Sequence, residues 1–132
     1  MEPFANLGLV PDAGGTWTLP RLVGSARAAG MAMLAEPVPA DTAAAWGLIW
    51  KAVEDGELTA TVEQLAARLA KAPTDGLAHM KRAFDASWTN TLDRQLDLER
   101  DVQREAGRSP DYAEGVRAFL EKRPPRFRGR FG

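Results

Sequence analysis

The chain has 132 residues, 45% hydrophobic and 27% charged, with a formal net charge of −1 at pH 7. That size suits one domain and that mixture is ordinary for a globular one, which excludes a disordered chain and any global attraction to nucleic acid. Cysteine is absent and histidine occurs once, which removes disulfides, thiolate nucleophiles and imidazole metal clusters, so no metal site is expected.

Residues 4–10 are mostly apolar and Pro11 stops any extended segment, so a short buried strand is predicted there. A helix over residues 16–23 opens after Gly14-Gly15, and Ser25 is placed to cap a second helix that reaches Leu34 before Pro37. Asp41 is placed to cap residues 42–46, with Gly47 as the stop and a second strand predicted over residues 48–53. After the Asp55-Gly56 turn, Leu58, Val62, Leu65, Ala66 and Leu69 recur at helical spacing as far as Pro73. Thr74 is placed to cap a helix with a stripe of Leu77, Met80, Phe84 and Trp88, and a long charged helix follows as far as Gly107. Ser109-Pro110 opens the last helix, expected to bury Tyr112, Val116, Phe119 and Leu120, and Pro124-Pro125 ends it. The fold class is therefore mainly α with one or two short strands.

No apolar run approaches the ~20 residues needed to span a bilayer, and no signal segment opens the chain, so a soluble, cytoplasmic protein without a membrane partner is expected. Trp88, Leu98 and Phe119 lie on more than one side of their helices, which predicts contact with another chain; a self-contained bundle is the alternative.

Asp12 is the leading chemical candidate, because Pro11 and Gly14-Gly15 hold the backbone around its carboxylate where a proton can be exchanged. The competing reading is a helix cap. The glycines match neither a phosphate loop nor a dinucleotide fingerprint, and His79 has no serine or carboxylate spaced for a relay. Lys122, Arg123, Arg126, Arg128 and Arg130 suit either a ligand's phosphates, with Phe119 stacking on a ring, or a solvated helix end favoured by the dipole. The four tryptophans are too scattered to form a platform for single-stranded nucleic acid.

The run Gly8-Leu9-Val10-Pro11-Asp12-Ala13-Gly14-Gly15, then Leu19-Pro20-Arg21-Leu22-Val23-Gly24 and residues 43–48, resembles the second half of the crotonase (enoyl-CoA hydratase/isomerase) family. Thr16-Trp17, Trp46-Gly47-Leu48-Ile49-Trp50, Asn90-Thr91-Leu92, residues 95–100 and residues 106–109 are similar to the branch that isomerises ring-1,2-epoxyphenylacetyl-CoA in aerobic phenylacetate degradation. Residues 114–123 resemble the closing helix of many crotonases, and the resemblance runs from about residue 4 to residue 130.

The resemblance implies the C-terminal half of the α/β crotonase fold. Residues 1–53 would end the core with the active-site loop, and residues 54–132 would form the helical trimerisation and CoA-capping region. It implies an enzyme that moves protons and rearranges bonds next to a CoA thioester, turning 1,2-epoxyphenylacetyl-CoA into oxepin-CoA. An enoyl-CoA hydratase or isomerase of fatty-acid oxidation, or a non-catalytic helical assembly module, is the alternative. Asp12 would be the catalytic carboxylate and Phe119 and Lys122 the CoA contacts, with no cofactor beyond the CoA carried by the substrate. The hydratase branch has a glutamate where this chain has Phe4, eight residues before Asp12, which argues against simple hydration. The family's two oxyanion-hole donors belong to its first half, so these residues alone are expected to be inactive. A homo-oligomer, a trimer or a dimer of trimers, is implied, with an acyl-CoA as the ligand and no nucleic acid.

Overall fold

A computed structural model describes residues 1–129. The chain divides into two compact units, Met1–Leu58 and Thr59–Gly132.

The first unit opens with a 3-10 turn over Pro3–Leu7, closed by Gly8 at φ 69°. Three helices follow: α1 (Gly15–Val23), α2 (Ser25–Leu34) and α3 (Ala40–Ala45). Gly24 alone joins α1 to α2; at φ 81° it turns the chain where a side chain would be strained, and its N–H donates to the Pro20 carbonyl at 3.1 Å. So short a link forces the two helices together, and Leu19 and Val23 of α1 meet Ala28 and Met31 of α2 in a small buried core. Val38, Trp46 and Leu48 pack partly buried against it.

The helical character read from the sequence holds, but neither predicted strand forms. Over residues 4–10 the chain makes the 3-10 turn instead, with the Gly8 and Leu9 N–H groups donating back to the Ala5 and Phe4 carbonyls. Over residues 48–53 the Leu48 N–H donates to the Ala43 carbonyl at 2.9 Å, a closure of α3. Both segments are apolar enough for a strand, but a strand satisfies its backbone only against a neighbouring strand, and no strand is present among the described residues.

A second 3-10 turn, Asp55–Glu57, leads into α4 (Leu58–Ala70). The second unit continues with α5 (Thr74–Ser87), α6 (Leu92–Ala106) and α7 (Pro110–Leu120). Antiparallel α5 and α6 are stitched by Gln95, whose side-chain amide donates to the Ala83 carbonyl at 3.1 Å and accepts from Asn90 at 3.0 Å. Thr91 caps α6 and Ser109 caps α7, the Ser109 hydroxyl accepting from the Tyr112 N–H at 3.1 Å with Pro110 at the first helical position.

The expected burial of Tyr112, Val116, Phe119 and Leu120 is not what α7 does. All four are exposed, Phe119 by 82%, while Asp111 and Ala118 are buried. The covered face runs through Asp111, Glu114, Gly115 and Ala118 at helical spacing, and what covers it is the chain after α7. Small residues there let that segment approach: a Cβ on Gly115 would lie 3.6 Å from the Phe127 ring.

Candidate functional site

Asp12 lies on the loop between the opening 3-10 turn and α1, with its side chain exposed. Its carbonyl accepts the Gly15 N–H at 2.8 Å, and the two residues between, Ala13 at φ 49° and Gly14 at φ 82°, are both left-handed. Alanine in that region is strained, and the conformation persists because both ends of the turn are held. One end is the start of α1, where the Trp17 and Thr18 N–H groups bond to the Gly14 carbonyl; the other is Pro11, whose ring packs so closely that a Cβ on Gly15 would lie 3.2 Å from it.

The cap position of α1 is taken by Gly14, and no side chain caps this helix. The capping alternative for Asp12 is thereby removed. Among the described residues its carboxylate has no hydrogen bond or ion pair, and it is exposed to solvent. Behind the loop, Pro11, Gly15, Leu19 and Ala28 help to line a cavity of about 220 Å³ between α1 and α2.

Phe119 and Lys122 belong to the second unit and come together at the C-terminal end of α7, the Lys122 N–H donating to the Phe119 carbonyl at 3.2 Å. Both side chains are exposed. Phe119 borders an apolar cavity of about 510 Å³ with Tyr112, Val116, Leu120, Phe127 and His79. The structure thus joins the two residues expected to touch CoA, while Asp12 sits in the other unit.

Within the cationic tail Arg123 is spent inside the chain, while the Lys122, Arg126 and Arg128 side chains stay exposed. The Arg123 guanidinium grips Glu114 bidentately, at 2.7 and 3.1 Å, and also bonds to Glu121. That grip, with the Arg126 N–H donating at 2.9 Å, pulls the Glu114 carboxyl down to a pKa of about 2 and raises that of Arg123. Buried Asp111 accepts the Arg128 and Gly129 N–H groups at 2.8 and 2.9 Å. Arg130 lies outside the described residues. Sequence reasoning missed Asp111 and Glu114: an acidic residue in the first helical turn, as Asp111 is, is a common response to the dipole, and Glu114 reads as an ordinary solvated glutamate one turn further on.

Among the described residues no three histidine, cysteine, aspartate or glutamate side chains gather where they would hold a metal ion, and no helix is long and apolar enough to cross a membrane. His79 sits between Arg82, at 3.3 Å, and Glu105, at 3.8 Å, in a surface cluster that joins α5 to α6.

Residues 1–130 match the family model described as enoyl-CoA hydratase/isomerase. The chain is 57% identical over 127 residues to 1,2-epoxyphenylacetyl-CoA isomerase of Escherichia coli K12, covering 96% of this chain and 48% of that protein. It is 53% identical to a protein of Rhodobacter capsulatus named probable enoyl-CoA hydratase, covering 98% of this chain and 51% of the relative. Its structure superposes on the crystal structure of an enoyl-CoA hydratase from Polaromonas sp. JS666 with a TM-score of 0.90 at 32% identity, covering 96% of this chain and 49% of that one. The chain spans about half the length of the curated relatives it matches. It belongs to the enoyl-CoA hydratase/isomerase family, and its helices are those of the C-terminal half of the crotonase fold.

Proposed function

We propose that the chain carries the proton-transfer carboxylate and the CoA-gripping helix end of an acyl-CoA isomerase, acting on 1,2-epoxyphenylacetyl-CoA to give oxepin-CoA. The observation that carries the reading is the Asp12 loop: a strained, doubly held turn presents an exposed carboxylate that does not cap the helix behind it. The identity to the isomerase named above supports the choice of substrate. In this reading Asp12 moves a proton on the acyl group beside the thioester. The enolate charge that develops is met by backbone donors of the family's other half, a few kcal/mol each by order of magnitude. Phe119 and Lys122 hold the CoA moiety, and no further cofactor takes part.

Hydration is the second reading, since relatives carry hydratase names. A hydratase needs a second carboxylate to activate water, and Phe4 stands where that branch has its glutamate, half-buried in the opening 3-10 turn. The isomerase reading also carries assembly into a homo-oligomer, a trimer or a dimer of trimers, working in the cytoplasm without nucleic acid.

Asp12→Asn tests the proposal in the complete protein. Isomerase turnover is expected to fall by a factor of about 100 or more, the usual worth of a general acid–base group, while the affinity for CoA stays within about twofold. Turnover that survives the substitution removes Asp12 from the chemistry, and efficient hydration of crotonyl-CoA favours the second reading.

A further inference from the structure

The end of α7 is built around a residue in an unfavourable conformation. The Lys122 N–H donates to the Phe119 carbonyl at 3.2 Å and the Arg123 N–H to the Ala118 carbonyl at 3.0 Å, the paired bonds of a Schellman helix ending. That ending requires a left-handed residue after the cap, a place normally taken by glycine; here it is Lys122, at φ 51°. A side chain in this region is strained, so something must hold it there.

What holds it is the next residue. Every nitrogen of the Arg123 guanidinium is engaged: Nε with Glu121, Nη1 with Glu114 at 2.7 Å and with the Pro124 carbonyl at 3.1 Å, and Nη2 with Glu114 at 3.1 Å. Glu114 is anchored in turn, two turns back on α7 and accepting the Arg126 N–H at 2.9 Å. A planar fork gripped on this side permits few positions for the Arg123 backbone, and Lys122 must bridge from the helix to it. Glycine would close the turn without this machinery, but it would supply no ammonium group. Among the described residues the Lys122 ammonium has no ion pair, whereas the Arg123 charge is spent on its two glutamates. The strain thus preserves an exposed cation one helical turn along the chain from the exposed Phe119.

We propose that Glu114 is a positioning residue: through Arg123 it locks Lys122 in the left-handed conformation that presents its ammonium, one turn beyond Phe119, to an anionic group of the CoA ligand. The proposal rests on the reading of Phe119 and Lys122 as CoA contacts. It assigns a role to a carboxylate that touches neither ligand nor reacting atoms.

Two measurements on the full chain test it: NMR couplings and carbon shifts at residue 122, which report φ, and calorimetric titration with free CoA. Glu114→Gln is expected to depopulate the left-handed conformation at residue 122. CoA affinity should then weaken about fivefold, the factor by which relief of such strain depletes the competent conformer, with helix content by circular dichroism unchanged. In a Lys122→Gly background, adding Glu114→Gln should leave residue 122 left-handed, because glycine needs no clamp. That loss of coupling separates positioning from general support of the fold. Arg123→Lys, which keeps the charge but breaks the fork, should reproduce the effects of Glu114→Gln and stands in for it if that variant unfolds. The proposal is overturned if residue 122 stays left-handed without the fork, or if CoA affinity is unchanged when it leaves that conformation. Failure of the unsubstituted chain to bind CoA removes the CoA reading instead, and the coupling at residue 122 still decides whether Glu114 holds the turn.

Discussion

Among the described residues three without glycine's freedom sit in left-handed backbone, and two of them bear on the groups proposed for chemistry: Ala13 follows Asp12, and Lys122 is the cation one turn beyond Phe119. Glycine carries the other half of the Asp12 turn, at Gly14. A Cβ there would meet nothing within 4 Å, so the cost of adding one is purely conformational. Gly14→Ala is therefore expected to destabilise the protein by about 1–2 kcal/mol, read as a lower urea midpoint at unchanged slope. An unchanged midpoint would show that the turn relaxes without cost. The pattern Pro11-Asp12-Ala13-Gly14-Gly15 made this loop legible in the sequence, but capping and catalysis were equally good uses of the carboxylate. The placement of Gly14 at the cap position removes the first of them.

Among the elements, α7 and the segment after it carry a pH dependence with a definite sign. The Glu114 pKa lies at about 2, below its ordinary value of 4.5, so its clamp contributes fully above about pH 4.5 and is lost as pH falls through about 2. Nuclear Overhauser contacts between Phe127 and Gly115 are expected to weaken across that window. In Glu114→Gln the change over the same window should be largely absent, leaving what remains to Asp111. Contacts that persist unchanged in the unsubstituted protein to pH 2 would contradict the assignment. The helices themselves were legible, since periodicity and caps such as Ser109 act within a few residues. The burial face of α7 was not: its apolar stripe pointed one way, while two carboxylates recruited the tail to the other. The strands failed for a related reason, because apolar residues between turn signals license a strand only where a partner strand exists.

At the scale of the molecule, large apolar side chains remain uncovered in the second unit, among them Met80, Phe84, Leu96, Phe119 and Leu120. Faces of that kind mark association. Sedimentation equilibrium is expected to return a mass that is a multiple of the chain's own, three or six copies in the assembly proposed above; a monomer at micromolar concentration would refute self-association.

By itself the sequence determined the family, the helix order, the Ser109 cap and the candidate carboxylate, because these rest on spacings of a few residues and on continuous runs such as residues 8–15. The caps expected at Ser25, Asp41 and Thr74 fall instead to Gly24, Pro39 and Pro73, with those three residues inside their helices. The tertiary structure alone decided which face of α7 is covered, what Arg123 is bound to and why Lys122 is left-handed. Those outcomes depend on carboxylates meeting backbone and side-chain donors 9 to 18 residues away, and no local pattern encodes such a meeting.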